Sequence, residues 1–330
     1  MISVHMNKYL PLLLVAILCS CNNDDDISPA PEPAVIAEFR TNLSELNLFT
    51  GNLSNLDITP YAFQYDLSTP SFADYSKKQR FIALPENTRL EYNGDGLPIF
   101  PEGSLISKTF YYNTDERDLS LGRQIIETRI LIKINGEWES GDYKWNDSQT
   151  DAILDPNGSI VPVSWIDSDG DSNSTDYSIP NNSQCFTCHS SFDNLTPIGP
   201  KLRNLNFNIN GNNQLQQFIA NQNIEGLTNS ATVSSTTNWR DQSASLESRA
   251  RAYIDINCAY CHQPGGFCED ESTLKVAYET SLEDSNIIER KNSMSFRIAD
   301  YNPGISMPFI GTTMIHNEGV DLIQSYLDTL

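Results

Sequence analysis

Positive charge is scarce in this chain. Its 330 residues hold 21 Lys and Arg against 43 Asp and Glu, a formal net charge of −22. A surface of that sign repels phosphate, which argues against nucleic acid as a partner; it favours solubility and attracts basic proteins. Long apolar runs are also missing. Beyond the N-terminus none approaches the ~18 residues that would cross a bilayer as a helix. Soft metal ligands are few. After the N-terminal leader, His occurs only at His189, His262 and His316, and Met only at Met294, Met307 and Met314. Any site needing imidazole or thioether must draw on these positions. There is no solenoid-type repeat; one short motif occurs twice. The length is enough for two domains.

The N-terminus reads as a targeting segment. Lys8 precedes an apolar run from Tyr9 to Cys19, too short to span a bilayer comfortably and shaped like a signal-peptide core. Leu18-Cys19-Ser20-Cys21 resembles a lipobox, which would make Cys21 the acylated first residue of the mature chain. Several acyl tails would hold it stably on a membrane. Ordinary signal cleavage, with Cys21 a bystander, is the alternative. Asn22-Asn23-Asp24-Asp25-Asp26 follows, either a surface-export signal or a solvated spacer, and Ile27 to Ala34 reads as an extended tether. The expected division is a signal peptide over 1–20, an acidic and Pro-containing tether over 21–35, a β-rich domain over 36–180 and a helical region over 181–330.

Within 36–60, Leu43, Leu46 and Phe49 predict one or two short helices. The pattern then changes. Ile126, Thr128, Ile130, Ile132 and Ile134 alternate with Glu127, Arg129 and Lys133, with Leu131 as the exception, and Asn135-Gly136 follows. Period two ending in Asn-Gly predicts a strand and a type I′ hairpin. Leu105 to Tyr112 and Tyr143 to Trp145 are further strand candidates. Asp167, Asp169, Asp171 and Asn173 place oxygens at every second position, a partial match to a Ca²⁺ loop. Its Gly and its missing closing Glu depart from that pattern, and a solvated loop is the competing reading. Farther on, helices are expected near Asn213–Asn221, from Ser245 towards Cys258, and at the C-terminus through Val320, Ile323, Tyr326 and Leu327.

The chemistry lies in the duplicated motif. Cys185-Phe186-Thr187-Cys188-His189 and Cys258-Ala259-Tyr260-Cys261-His262 are both C-x-x-C-H. On a helical turn the two thiols reach the two vinyl groups of one haem, and the adjacent imidazole meets the iron from the proximal side. Two covalent haem c groups are the leading cofactor reading, with His189 and His262 as iron ligands. A shared zinc site and redox-active C-x-x-C disulfides compete with it. The Cys count of seven agrees with haem: Cys19 leaves with the signal, Cys21 takes lipid, four take thioethers, and Cys268 is left over.

For the second motif, helix, motif, Pro264-Gly265-Gly266 turn, loop, Met307-Pro308 and final helix follow the layout of a small cytochrome c domain. Met307 is therefore the expected distal ligand, against a gap-filling core Met. For the first motif the sixth ligand is Met294, Met314, His316, another residue type, or none. Arg249, Arg251, Lys201 and Arg203 are candidate partners for haem propionates, with solvated side chains as the competing reading.

With these motifs placed, residues from about 43 to 328 resemble a bacterial family of exported dihaem c-type cytochromes with a β-rich N-terminal region. The likeness rests on Asp74-Tyr75-Ser76-Lys77 with Arg80-Phe81-Ile82-Ala83-Leu84-Pro85, and on Phe100-Pro101-Glu102-Gly103-Ser104. It also rests on Glu127-Thr128-Arg129, on Tyr143-Lys144-Trp145-Asn146, and above all on Arg249-Ala250-Arg251-Ala252-Tyr253-Ile254-Asp255-Ile256-Asn257-Cys258 continuing to Gly266. The family usually has His where this chain has Tyr260. The resemblance implies haem c and a redox function, and no defined substrate.

The expected fold class is α+β and multidomain: a β-rich N-terminal domain followed by a mainly α-helical cytochrome c-like domain. The expected function is electron transfer between redox partner proteins at the bacterial envelope, with the chain lipid-anchored through Cys21, outer membrane being the expected site. A dihaem peroxidase-like enzyme with one open haem is the first alternative. A binding module whose β domain grips a glycan or protein is the second.

Overall fold

The structure is a computed structural model that describes Met1 and residues 34–330. The expected signal peptide, Cys21 and nearly all of the tether lie outside the described residues.

Two 3₁₀ turns, Leu43–Leu46 and Leu53–Asn55, stand where short helices were expected. Six strands then form one antiparallel sheet in sequential order. They are β1 (Ala62–Gln64), β2 (Lys77–Ala83), β3 (Leu105–Asn113), β4 (Arg123–Ile134), β5 (Glu137–Trp145) and β6 (Ala152–Leu154). Asn135 and Gly136 link β4 to β5 with φ of 54° and 84°, both positive as a type I′ turn requires. A register shift opposite Phe110 and Tyr111 leaves Ile126 as an extra residue in β4, a bulge that re-aims the start of the strand.

Both faces of the sheet are covered, which explains why Leu131 broke the alternation. Phe81, Leu105, Ile130, Ile132, Tyr143 and Trp145 pack beneath Leu43, Leu46 and Leu56 of the N-terminal turns. On the other face Ile82, Ile106 and Leu131 meet Leu202, Leu205, Leu215, Phe218 and Ile256 from the second half of the chain. A separate hairpin, β7 (Ser159–Ile166) and β8 (Ser172–Ile179), packs Val163, Trp165 and Tyr177 on Phe110, Tyr112 and Ile126.

The helices are α1 (Asn182–His189), a single turn Leu202–Leu205, α2 (Gln214–Ala220), α3 (Leu246–Asn257), α4 (Ile287–Ala299) and α5 (Asn317–Leu327). Ala250, Tyr253 and Ile254 of α3 share a core with Leu322, Ile323 and Tyr326 of α5 and Ile287 of α4. None of the helices of the described residues is long and apolar enough to cross a membrane.

The fold is thus mixed α and β with a β-rich central sheet. The boundary placed at 180/181 coincides with no break in packing, because the described residues 34–330 fall in one compact unit. Leu90–Glu91, ahead of β3, even pairs in parallel with Ile224–Glu225 of the helical half.

Candidate functional site

Each C-x-x-C-H motif sits where local sequence puts a helical turn. Asn181 caps α1: its side chain accepts from Gln184 N–H, and Gln184 Oε1 accepts from Asn181 N–H, both at 3.0 Å. Such a capping box fixes the start of a helix, so Cys185, Cys188 and His189 fall on one face at i, i+3 and i+4. Ser245 caps α3 by accepting from Ser248 N–H at 3.2 Å. That helix ends at Asn257. Cys258 is its C-cap, and the N–H groups of Cys261 and His262 both turn back on the Cys258 carbonyl, at 3.2 and 3.0 Å.

The second motif borders a cavity of about 530 Å³. Cofactor pockets commonly measure ~300–1,000 Å³. Cys258, Cys261 and His262 form one wall; Met294 of α4 and Met307 and Met314 of the loop before α5 also line it. His262 Nδ1 is buried without a hydrogen-bond partner, and burial pulls the ring below its usual pKa, with Lys275 and Arg297 adding to the effect. Phe267 and Phe309, both lining residues, are 51% and 56% exposed. An apolar slot with a neutral imidazole, two thiols and thioethers suits a flat apolar metal complex bound through sulfur and nitrogen. The lining is compatible with haem c: Cys258, Cys261 and His262 could hold it, and Met307 is among the thioethers on the cavity wall.

The first motif has the same donors in less space. His189 Nδ1 hydrogen-bonds the Thr196 carbonyl at 2.8 Å, so Nδ1 carries the proton and Nε2 holds its lone pair for a metal. Burial, with Lys108 next, depresses the ring to about 3. The cavity here measures only about 60 Å³. A porphyrin does not fit it as it stands; the donor set does. Its walls are α1, the sheet residues Lys108, Arg129 and Asp142, and a cap of Pro197, Ile198, Ile310 and Gly311. No Met and no second His lines it; Met294, Met314 and His316 all line the larger cavity.

The two motifs adjoin. Thr187 of the first lines the cavity of the second, and burial raises the pKa of Cys261, with the Cys188 thiol near enough to add to it. Phe192 N–H donates to the Gly265 carbonyl at 2.8 Å. Gly265 has φ of 74°, and a Cβ there would come within 2.5 Å of the Phe192 ring, so this approach requires glycine.

His316 is not free to ligate. Its ring stacks on Phe72 at 4.3 Å and 9°. Its Nδ1 meets Tyr253 OH at 2.7 Å, and its Nε2 lies 3.6 Å from Glu318. Burial first, then Arg240 and Lys78, hold His316 down to about 4 against the opposing pull of Glu318. A His depressed in the folded state contributes stability above its unfolded pKa of ~6.5, and that stability is lost as pH falls through the folded value. Thermal unfolding followed between pH 7 and 4 is therefore expected to show a steep acid loss, flattened in His316→Gln.

The four basic residues expected near propionates are engaged elsewhere. Arg249 Nε donates to the Trp239 carbonyl at 2.8 Å and Arg251 to those of Ala277 and Thr280. Arg203 pairs with Asp255 at 3.0 Å and with Glu279, and Lys201 lies 3.8 Å from Asp255. These contacts brace α3 against the loops around it. Sequence reasoning missed Asp74. Its buried carboxylate accepts from Thr313 N–H and Oγ1–H and from Met314 N–H at 2.8–3.0 Å, fixing the loop that roofs both cavities. An Asp beside a strand start gives no signal that its partner lies so far along the chain.

The loop proposed for Ca²⁺ is the β7–β8 connection. Asp167 closes it, accepting from the N–H groups of Asp169 and Asp171 and from Asn173 Nδ2. Among the described residues no group of three or more His, Cys, Asp or Glu side chains is placed to hold a metal ion. That applies to the Ca²⁺ loop and to a zinc site shared by the two Cys pairs. Five described cysteines are free thiols. Cys268 lies against Cys261, its N–H donating to the Cys261 carbonyl at 3.1 Å.

Comparison with family models, with curated proteins and with solved structures found no match for this chain.

Proposed function

We propose that the chain is an exported, lipid-anchored dihaem c-type cytochrome that carries electrons between protein partners at the bacterial envelope. One observation carries this reading: both C-x-x-C-H motifs present thiols and imidazole from one turn and adjoin, and the second opens on an apolar cavity of about 530 Å³. A bound haem c supplies an iron that takes up and releases one electron.

At the second motif Cys258 and Cys261 would hold the ring edge, His262 would ligate the iron and Met307 would offer the distal thioether. Leu274, Val276 and Ile323 line the cavity and keep water from it. The α3–α4–α5 core is the cytochrome c-like part. At the first motif Cys185, Cys188 and His189 form the second attachment point, whose loading requires the cap of Pro197, Ile198, Ile310 and Gly311 to move aside. The net charge of −22 favours a basic redox partner. Attachment through Cys21 would hold the chain at a membrane, the outer membrane by this reading, and raise its effective concentration near that partner.

The test is a haem count by pyridine haemochrome, with optical and EPR spectra, on protein matured with haem. The reading expects two haems per chain and a far-red thioether band that disappears in Met307→Ala. One haem per chain would remove the first motif from the reading, and none would overturn it. A second reading, a peroxidase-like enzyme, is favoured by the lack of Met or a second His at the first cavity. A high-spin signal that shifts with peroxide would select it.

A further inference from the structure

A row of like charges crosses the covered face of the sheet. Arg80 of β2 stands in register with Lys108 of β3, Lys108 with Arg129 of β4, and Arg129 with Asp142 of β5. Like charges directly opposite one another destabilise a sheet. Here three basic side chains stand side by side on the face that turns towards α1 instead of solvent, and burial, with Arg129 and Arg80 next, pulls Lys108 down to about 7.

The available carboxylates serve the ends of the row. Arg80 Nη1 meets Asp66 at 2.8 Å. Arg129 Nη2 meets Glu127 at 2.6 Å, with Asp142 3.9 Å from its Nε. The centre is unserved. Among the described residues Lys108 has no carboxylate within 4.0 Å and no hydrogen bond; its ammonium lies 5.8 Å from the Phe110 ring centroid. The Nε atoms of Arg80 and Arg129 are buried without partners. Lys108 and Arg129 line the small cavity whose opposite wall is Cys185, Cys188 and His189.

We propose that Lys108 and Arg129, backed by Arg80, form an anion site that takes one carboxylate or small oxyanion at the first C-x-x-C-H motif. Two sources share that chemistry: a carboxylate side arm of a porphyrin carried by Cys185 and Cys188, or a free oxyanion such as nitrite or phosphate. A cavity of about 60 Å³ holds a small anion or about two waters by volume. The first source rests on the dihaem reading; the second does not. Ammonium and guanidinium together suit either, since charge-assisted hydrogen bonds are short and strong.

The experiment uses the full mature chain after haem maturation. Phosphate and nitrite are titrated at constant ionic strength while thermal unfolding is followed, and the potential of each haem is measured. Wild type is compared with Lys108→Gln, Lys108→Arg and, as an exposed control on β2, Lys77→Gln. A free oxyanion shows as a saturable rise in unfolding temperature, with binding weakened roughly tenfold or more in Lys108→Gln and kept in Lys108→Arg. A porphyrin carboxylate shows no response to added anion. Instead the potential of the first haem falls in Lys108→Gln and is restored in Lys108→Arg, because removing a nearby cation favours the ferric form. If Lys108→Gln does not fold, Lys108→Met repeats both measurements with the side-chain stem retained. No anion response and unchanged potentials would overturn the proposal. So would a haem that turns high-spin in Lys108→Gln and is not rescued by Arg, since Lys108 would then be an iron ligand. Absence of haem at the first motif sinks the dihaem reading but leaves the oxyanion arm standing.

Discussion

Replacing Cys258 and Cys261 together by Ala is expected to remove one covalent haem per chain and to abolish the far-red thioether band, while the first motif keeps its own attachment. On the dihaem reading, thioethers to Cys258 and Cys261 would be the covalent hold at the larger cavity, and a ligand held by His262 alone would exchange freely. The loss is read by intact mass, which falls by the mass of one haem, and by haemochrome absorbance, which halves. Cys185→Ala with Cys188→Ala is the mirror experiment. It is expected to remove one haem and leave the thioether band, because Met307 lines the other cavity. If the first pair of substitutions leaves both haems in place, the assignment of attachment sites is wrong.

The second large effect concerns stability. Arg203 and Asp255 are 1% and 2% exposed and meet at 3.0 Å. Asp255 also accepts from Tyr278 N–H at 3.0 Å, which ties α3 to the loop after the second motif. Arg203→Met leaves a buried carboxylate without its main counter-charge, and breaking a buried pair on one side costs about 3–5 kcal/mol. Lys201, 3.8 Å from Asp255, places the loss towards the lower end. The double variant Arg203→Met, Asp255→Leu is expected to recover a large part of it, since the orphaned charge is gone. Denaturant unfolding of wild type, Arg203→Met, Asp255→Leu and the double variant gives the cycle. A single variant within about 0.5 kcal/mol of wild type, the range of ordinary surface changes, would show that the pair does not hold α3.

Local signals were legible in the sequence wherever one element determined its own form. The β4–β5 hairpin follows from alternation ending in Asn135-Gly136, and α3 from Ser245 followed by Leu246, Ala250, Tyr253 and Ile254 on one face. The motif turns are a property of their own pentapeptides. Helix α4 was missed: polar residues dominate Ile287–Ala299, and Ile287 is its one buried side chain. The β7–β8 hairpin was missed for a similar reason, since Ser172–Ile179 is mostly Ser, Asn, Thr and Asp and packs only through Tyr177 and Ile179. The cross-strand row of Arg80, Lys108 and Arg129 could not be read before the register of β2, β3 and β4 was known. Alternating polar residues such as Arg129 give no sign in the sequence that the second half of the chain covers them. The roles of Lys201, Arg203, Arg249 and Arg251 were misplaced for the converse reason: nearness to a motif in sequence is not nearness to its cavity.

The doubly covered sheet has a consequence for how this protein can be taken apart. Ile82, Ile106 and Leu131 form the floor on which the second half of the chain rests, and Lys108 and Arg129 are part of the wall behind the first motif. Residues 181–330 excised alone would carry both C-x-x-C-H sequences but lack that floor and wall. The strands are therefore not cargo attached to the helical half. They are part of its vessel, and a fragment cut at 180/181 would be a leaking one.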